Sequence, residues 1–280
     1  MALETPFSGE EIKEALFGSY ADGAPGPDGL SFAFYQNYWD IVKNNLIEMF
    51  DAWYEGELDL FRLNFAMITL IPKENDAKSM KKFRPISLIN CCFKIFSKAV
   101  TNRFALMIDR IITKCQSAFI RGRFILESVI SAHKIIHEVH RSKKPGLVLK
   151  IDYEKAYDKV NLEFLYELLE KQGFGPKIIT LIKQMTQGGS VGVKVNDIEG
   201  DFFLTGKGLR QGDPFAPLLF NLVVDVFSRM LSKGCEARLI RGLCPDFIPG
   251  GVVSLQYADD TLIFLDKCEV MAVNLKWILT

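Results

Sequence analysis

Apolar positions along this chain switch between two periods. From Ser8 to Phe17 and from Phe32 to Trp53 they recur every three to four residues, the spacing that gives a helix one apolar stripe. Ser8, with Glu11 three residues on, reads as a capping box that opens the first of these helices. Phe34, Tyr38, Ile41, Val42 and Leu46 form the stripe of the second and are expected in the core. Between the two, ADGAPGPDGLS (21–31) holds too much Gly and Pro for a helix and reads as a structured turn or loop. Phe65 to Pro72, FAMITLIP, is a β-rich apolar run. KENDAKSMKKFRPISL (73–88) reads as a loop that places Lys78, Lys81, Lys82 and Arg84 ahead of Pro85. Helical spacing returns in Asn90–Ile112, with Phe93, Ile95, Phe96, Val100 and Phe104 inward, and again in Glu127–His140.

In the second half strands and helices mix. Pro145-Gly146 breaks the helix before it, and Leu147–Ile151 is a strand that delivers Asp152. Asn161–Gln172 is an amphipathic helix closed by Gly173, and Ile178–Met185 is another. Ser190–Leu204 alternates like a hairpin, with Asn196-Asp197 near its turn. The loop GKGLRQGD (206–213) opens a helix from Pro214 to Leu231, with Pro214 suited to its first turn. Near the C-terminus Val252, Val253 and Leu255 run into a hairpin and Leu262 to Leu265 run out of it. Tyr257-Ala258-Asp259-Asp260 sits at its tip.

Composition narrows the class. Hydrophobic residues make up 49% of 280, enough for a sizeable core and against wholesale disorder. The six cysteines form no C-x-x-C pair and read as buried thiols of a reducing compartment. No apolar run follows a basic start, so no secretory signal is expected, and the most apolar helix is interrupted by Asp225 and Arg229 and is no membrane span. The formal net charge is zero, but residues 1–60 carry −10, residues 61–150 carry +13 and residues 151–280 carry −3. A basic middle third suggests a local polyanion track, although a solvated basic face would look the same.

The chemistry lies in the carboxylates. A bare Asp-Asp is often a solvated turn. Between apolar strands, two adjacent carboxylates repel each other and are costly to desolvate, and a bound hard cation relieves both. Asp152, at the end of a strand expected to be buried, could face Asp259 and Asp260. Three converging carboxylates would then hold two divalent ions, the arrangement used for in-line phosphoryl displacement. Asp158 lies six residues beyond Asp152. His133, His137 and His140 share nearly one helix face, but no fourth zinc ligand is evident.

In order, FRPISL (83–88), KIDYEKAYD (150–158), GLRQGDP (208–214) and YADD (257–260) resemble the reverse transcriptase of plant LINE-type non-LTR retrotransposons. ADGAPGPDGLSFAFYQ, ITLIPK, QSAFIRGR and LQYADDTLIF extend the likeness from about Phe7 to the end. The resemblance implies an α+β fold: a right-hand polymerase with fingers and palm, an antiparallel palm sheet backed by helices, and no thumb, since the chain stops inside what reads as the next helix. It divides the chain into an N-terminal helical extension (1–64), fingers (65–145) and palm (146–280), all within one reverse transcriptase domain.

By the same resemblance, Asp152, Asp259 and Asp260 are the catalytic acids and ligands of two Mg²⁺ ions, with Mn²⁺ as a substitute. Lys73 and Arg84 grip the incoming triphosphate. Tyr157 is the gate against a 2′-hydroxyl. Arg210, Gln211 and Gly212 lie against the nucleotide and templating base, and Tyr257 and Ala258 face the primer end. Partners would be an RNA template, a DNA primer and dNTPs, with no membrane. A nuclear setting would suit such an element. Where relatives read Pro-Leu-Ser-Pro, this chain has Pro214-Phe215-Ala216-Pro217. The rival readings are an inactive retroelement remnant with residual nucleic-acid binding, and an RNA-dependent RNA polymerase, against which Tyr157 argues.

Overall fold

The computed structural model describes residues 2–196, 198–246, 248 and 250–279. In chain order the elements are α1 (Gly9–Phe17), α2 (Phe32–Asn37), α3 (Trp39–Glu55), β1 (Phe65–Pro72), β2 (Phe83–Ile89), α4 (Cys91–Ala105), α5 (Ile108–Ile111), α6 (Ile125–Ser142), β3 (Gly146–Ile151), α7 (Leu162–Lys171), α8 (Pro176–Thr186), β4 (Ser190–Val195), β5 (Ile198–Glu199), β6 (Phe203–Leu204), α9 (Ala216–Glu236), β7 (Ser254–Tyr257), β8 (Asp260–Asp266) and α10 (Glu269–Leu279). They fall into two compact units that interleave in sequence. The first comprises Met1–Leu106 and Tyr157–Ala216, the second Met107–Ala156 and Pro217–Thr280. Among the described residues no helix is long and apolar enough to cross a membrane.

The first unit carries a five-stranded sheet in the order β2-β1-β4-β5, with β6 also paired to β4. β1 runs antiparallel to β2 and parallel to β4. β4 turns back antiparallel onto β5 and β6, as the alternation over Ser190–Leu204 requires. Asn196 takes φ 51° at that turn, and Asp197 lies outside the described residues. α1 opens with the expected capping box: Ser8 Oγ accepts from the Glu11 amide, and Glu11 Oε2 accepts from the Ser8 amide. The Gly-rich loop packs on the start of α4. A Cβ on Gly26 would lie 2.3 Å from the Asn90 nitrogen, so only glycine fits there.

Three expectations are corrected here. The helix from Phe32 breaks at Tyr38 (φ −103°, ψ 22°), which rotates the second half. The buried stripe is therefore Phe32, Tyr35, Leu46, Phe50 and Trp53, while Tyr38 and Ile41 are exposed. Arg84 and Pro85 lie within β2, opposite Ile71 and Leu70, rather than on a loop. β2 is an edge strand, where proline's missing N–H is tolerated. Pro214 precedes the helix, whose first residue is Ala216. The Asp213 carboxylate fills that entry, accepting from the Phe215 amide at 2.9 Å and from the Ser97 hydroxyl.

The second unit is built on a three-stranded antiparallel sheet, β3-β8-β7. β8 is its middle strand and is buried on both faces. Ile263 and Leu265 pack with Leu231, Ile240 and Leu275, and Phe264 packs with Ile135 and Leu243. The strand expected to be buried, β3, is the edge strand. Gly146 to Lys150 are exposed and only Ile151 is partly covered, because one side of β3 has no partner strand. The cysteines are free but not all buried as expected: Cys115, Cys235 and Cys244 are partly exposed. Cys91 and Cys92 are buried, but Cys268 is exposed.

Two cations of the basic middle third turn inward. Arg103 Nε donates to Glu11 Oε1 at 2.6 Å, and its terminal nitrogens donate to the Thr5 and Pro6 carbonyls and to Glu11 Oε2. Its guanidinium also stacks 3.7 Å from the Phe7 ring centroid. Arg123 donates to the carbonyls of Ile112, Thr113 and Gln116. The Arg103 guanidinium holds the Glu11 carboxyl below its usual range. That stabilisation is present above the ordinary glutamate pKa and is lost as pH falls through the depressed folded value. Arg103→Ala should destabilise the chain by about 2 kcal/mol, since it removes the buried guanidinium with its bonds to the partly exposed Glu11 carboxylate and to the Pro6 carbonyl. Urea unfolding measures the loss, and the variant should lose less stability than wild type when the pH is lowered from 7 to 4.

Candidate active site

Register decides which side chains meet at the end of the second unit's sheet. The β3–β8 ladder closes at Ile151↔Thr261, and the β7–β8 ladder at Tyr257↔Asp260. Asp152 therefore follows the last paired residue of β3 at the same end of the sheet as the turn Ala258-Asp259. Adjacent strands lie about 4.8 Å apart, so the two acids flank the start of β8. Ala258 takes φ 54°, the left-handed conformation a two-residue hairpin turn demands at its first position. It is 7% exposed, whereas Tyr257 beside it is open to solvent.

The charges at this end are partly balanced from within. Lys150, two residues before Asp152, places its ammonium 3.0 Å from Asp260 Oδ1. That hydrogen bond and the charge of Asp260, then those of Asp152 and Asp259, hold the Lys150 ammonium above the usual lysine range. The expected three-carboxylate cage is not assembled: among the described residues no group of three or more His, Cys, Asp and Glu is placed to hold a metal ion. Three uncompensated carboxylates repel one another, and Asp260 has taken Lys150 instead. Asp152 and Asp259 make no hydrogen bond or ion pair among the described residues. An oxygen-only pair of carboxylates suits a hard divalent cation, and the neighbouring Lys150 ammonium opposes one. The histidine stripe on α6 joins no such group either.

Two residues contact this end that the sequence reading did not single out. Lys150 was within reach of it, because residues i and i+2 share a strand face and Lys150 precedes Asp152 by two. Gln116 was not. Its side chain bonds to both the N–H and the C=O of Ala258, 142 residues away.

The residues expected to serve the nucleotide all lie in the first unit. Lys73 follows the last residue of β1 and is exposed, its ammonium donating to the Lys81 carbonyl at 3.3 Å. Arg84 projects from β2 and is exposed. The loop 206–213 docks on the open side of β2, where the Ser87 amide donates to the Gln211 carbonyl at 2.8 Å. A Cβ on Gly212 (φ 114°) would lie 2.5 Å from the Ser87 carbonyl oxygen, so this close approach needs glycine. The Tyr157 carbonyl accepts from the Leu209 amide at 2.8 Å, joining the loop to the Tyr157 segment. Arg210, in contrast to its neighbours, is turned inward. It lies over the Phe93 ring, 3.8 Å from Asp213, and donates weakly to the Met185 carbonyl. Burial pushes its guanidinium down, against the pull of Asp213.

Residues 71–280 match the family model described as reverse transcriptase (RNA-dependent DNA polymerase). The chain is 31% identical over 262 residues to the transposon TX1 uncharacterized 149 kDa protein of Xenopus laevis, covering 93% of this chain and 20% of that one. It is 27% identical over 276 residues to the retrovirus-related Pol polyprotein from type-1 retrotransposable element R2 of Nasonia vitripennis, covering 98% of this chain and 25% of that one. The chain thus spans a fifth to a quarter of the length of these relatives. Among solved structures, apo telomerase of Candida tropicalis truncated from its C-terminal domain superposes with a TM-score of 0.55 at 13% identity, over 88% of this chain and 58% of that one. At that identity the likeness speaks for the fold, a mixed α/β arrangement of the fingers-and-palm kind. The family match over most of the sequence makes the conclusion plain: this chain belongs to the reverse transcriptases, as the kind of domain carried by non-LTR retrotransposons.

Proposed function

We propose that the chain performs RNA-templated DNA synthesis, with the end of the β3-β8-β7 sheet as its catalytic centre. The observation that carries the proposal is the register that brings Asp152 and the Asp259 turn to one sheet end. Members of this family use divalent metal ions. Here Asp152 and Asp259 would hold them, and Asp260, through Lys150, would set the charge beside them. Bound Mg²⁺ or Mn²⁺ supplies neutralisation of the phosphoryl oxygens and a more acidic 3′-hydroxyl. The primer 3′-hydroxyl gives its proton to solvent as its oxygen attacks the α-phosphorus of a dNTP, the bond from the α-phosphorus to the bridging oxygen breaks, and pyrophosphate leaves with that oxygen. The exposed Lys73 and Arg84 bind the triphosphate, Arg through a planar fork and Lys as a point charge. Tyr157 excludes the ribose 2′-hydroxyl. Gln211 and Gly212 form the backbone against which nucleotide and template lie, and the buried Arg210 stiffens that loop from beneath. Tyr257 faces the primer end. Residues 65–145 act as fingers and 146–280 as palm. RNA template, DNA primer and dNTPs are the partners. Within the family, the plant LINE lineage is the placement proposed, on the likeness of the four motif blocks, although the relatives named above are from animals.

Primer extension on an RNA template, with the purified chain and Mg²⁺, tests the proposal. Asp152→Asn and Asp259→Asn should each lower the rate on the order of a thousandfold, since each removes several kcal/mol of charge stabilisation. Salt-dependent RNA binding with no synthesis that depends on Asp152 would instead support a non-catalytic remnant. Tyr157→Ala should raise ribonucleotide incorporation relative to deoxynucleotide, read as the ratio of the two kcat/KM values, and an unchanged ratio removes Tyr157 from the gate. Gly212→Ala should cost about 2 kcal/mol of thermal stability, from a Cβ in a left-handed backbone against a carbonyl, and should raise KM for dNTP.

A further inference from the structure

We infer that Gln116 is a positioning residue for the acidic turn: its buried carboxamide clasps the backbone of Ala258 and so fixes where Asp259 presents its carboxylate. The inference rests on the polymerase reading of that turn. Gln116 is fully buried. Its Nε2 donates to the Ala258 carbonyl at 3.3 Å, and its Oε1 accepts from the Ala258 amide at 3.0 Å and from the Ala118 amide at 3.0 Å. The orientation of the amide is forced, because the reverse flip would set its NH₂ against two N–H donors. One side chain thus satisfies both polar backbone groups of one residue, and that residue is the one in the left-handed region. Without the clasp, a left-handed conformation costing about 1–2 kcal/mol would stand beside two buried, unpaired backbone groups.

The amide is itself anchored. Residues 115–118 run alongside β7, with the Gln256 amide donating to the Cys115 carbonyl at 2.8 Å and the Ser117 amide to the Gln256 carbonyl at 3.1 Å. Asn221 Nδ2 donates to the Ala118 carbonyl at 2.7 Å, and Arg123 donates to the Gln116 carbonyl at 2.6 Å. A rigid strip therefore carries Gln116 along the outer edge of the hairpin as far as its tip. Among the described residues Gln116 bonds to no carboxylate, so it acts through the backbone of Ala258, one residue before Asp259. Groups that orient a metal ligand in this way typically change affinity tenfold or more when removed.

Mn²⁺ binding to the full chain without nucleic acid, read from the electron paramagnetic resonance signal of the free ion, tests this. Gln116→Met keeps the side-chain length and volume and removes both bonds to Ala258. It should weaken Mn²⁺ binding about tenfold while circular dichroism shows the variant folded at the assay temperature. In primer extension it should raise the half-saturating Mg²⁺ concentration by a similar factor, leave KM for dNTP unchanged and recover at high Mg²⁺. A variant that merely lost folded protein would lower the rate at every Mg²⁺ concentration without moving that midpoint. Should the Met variant not fold, the Ala258 amide of the wild-type chain gives the answer: its hydrogen exchange should be slow for a hairpin tip, and fast exchange overturns the inference. Equal Mn²⁺ affinity in folded Gln116→Met and wild type also overturns it, and leaves the polymerase reading standing. Asp152→Asn reports on that reading separately. If this variant binds Mn²⁺ as tightly as wild type, the acids are no metal site and the role of Gln116 falls with them.

Discussion

Everything at the acidic end of the second unit depends on the pairing register of β8. This strand is hydrogen-bonded on both sides, to β3 and to β7. Because side chains alternate across a sheet, a slip of one residue would carry every one of them to the opposite face. Ile263 and Leu265 are held in one apolar cluster and Phe264 in another, so both faces resist the slip. The apolar run Leu262–Leu265 is in this sense part of the site. It decides which residue of β3 ends up beside the turn.

Electrostatics sets the second condition. Three acids near one strand end would destabilise the metal-free protein. Lys150 answers this chiefly at Asp260, by direct contact, and its charge also reaches Asp152 and Asp259. The protein therefore stands between two unfavourable limits, complete neutralisation by its own lysines and an unrelieved triple charge. The inward turn of Arg103 and Arg123 follows a similar logic at lower stakes. These cations serve carbonyls and a carboxylate inside their own units, and the surface charge available to a polyanion is smaller than a count of Lys and Arg suggests.

Short-range features were readable from the sequence. The Ser8–Glu11 box, the strand Phe65–Pro72 and the helix Leu162–Lys171 follow from neighbours within four residues or from strict periodicity. The position of Asp152 at a strand end and of Asp259 in a hairpin turn was also legible, because apolar runs bracket both. Failures came where a distant partner decides. Pro85 reads as a loop marker until β1 is seen to pair beside it. Tyr38 carries no breaker signal, yet the helix ends there and the stripe beyond it rotates. β3 has the composition of a buried strand and an edge strand's exposure. The partners of Arg103 and Gln116 lie about a hundred residues away or more, and no local pattern records them.

The left-handed backbone at Ala258 restricts which amino acids this position can hold. Glycine would enter without penalty, alanine and other unbranched side chains at modest cost, and valine or isoleucine only against strong steric resistance. A survey of replacements there would accordingly read conformational energy before anything else. The branched members of such a set would be selected against first, for reasons already written into a single dihedral angle.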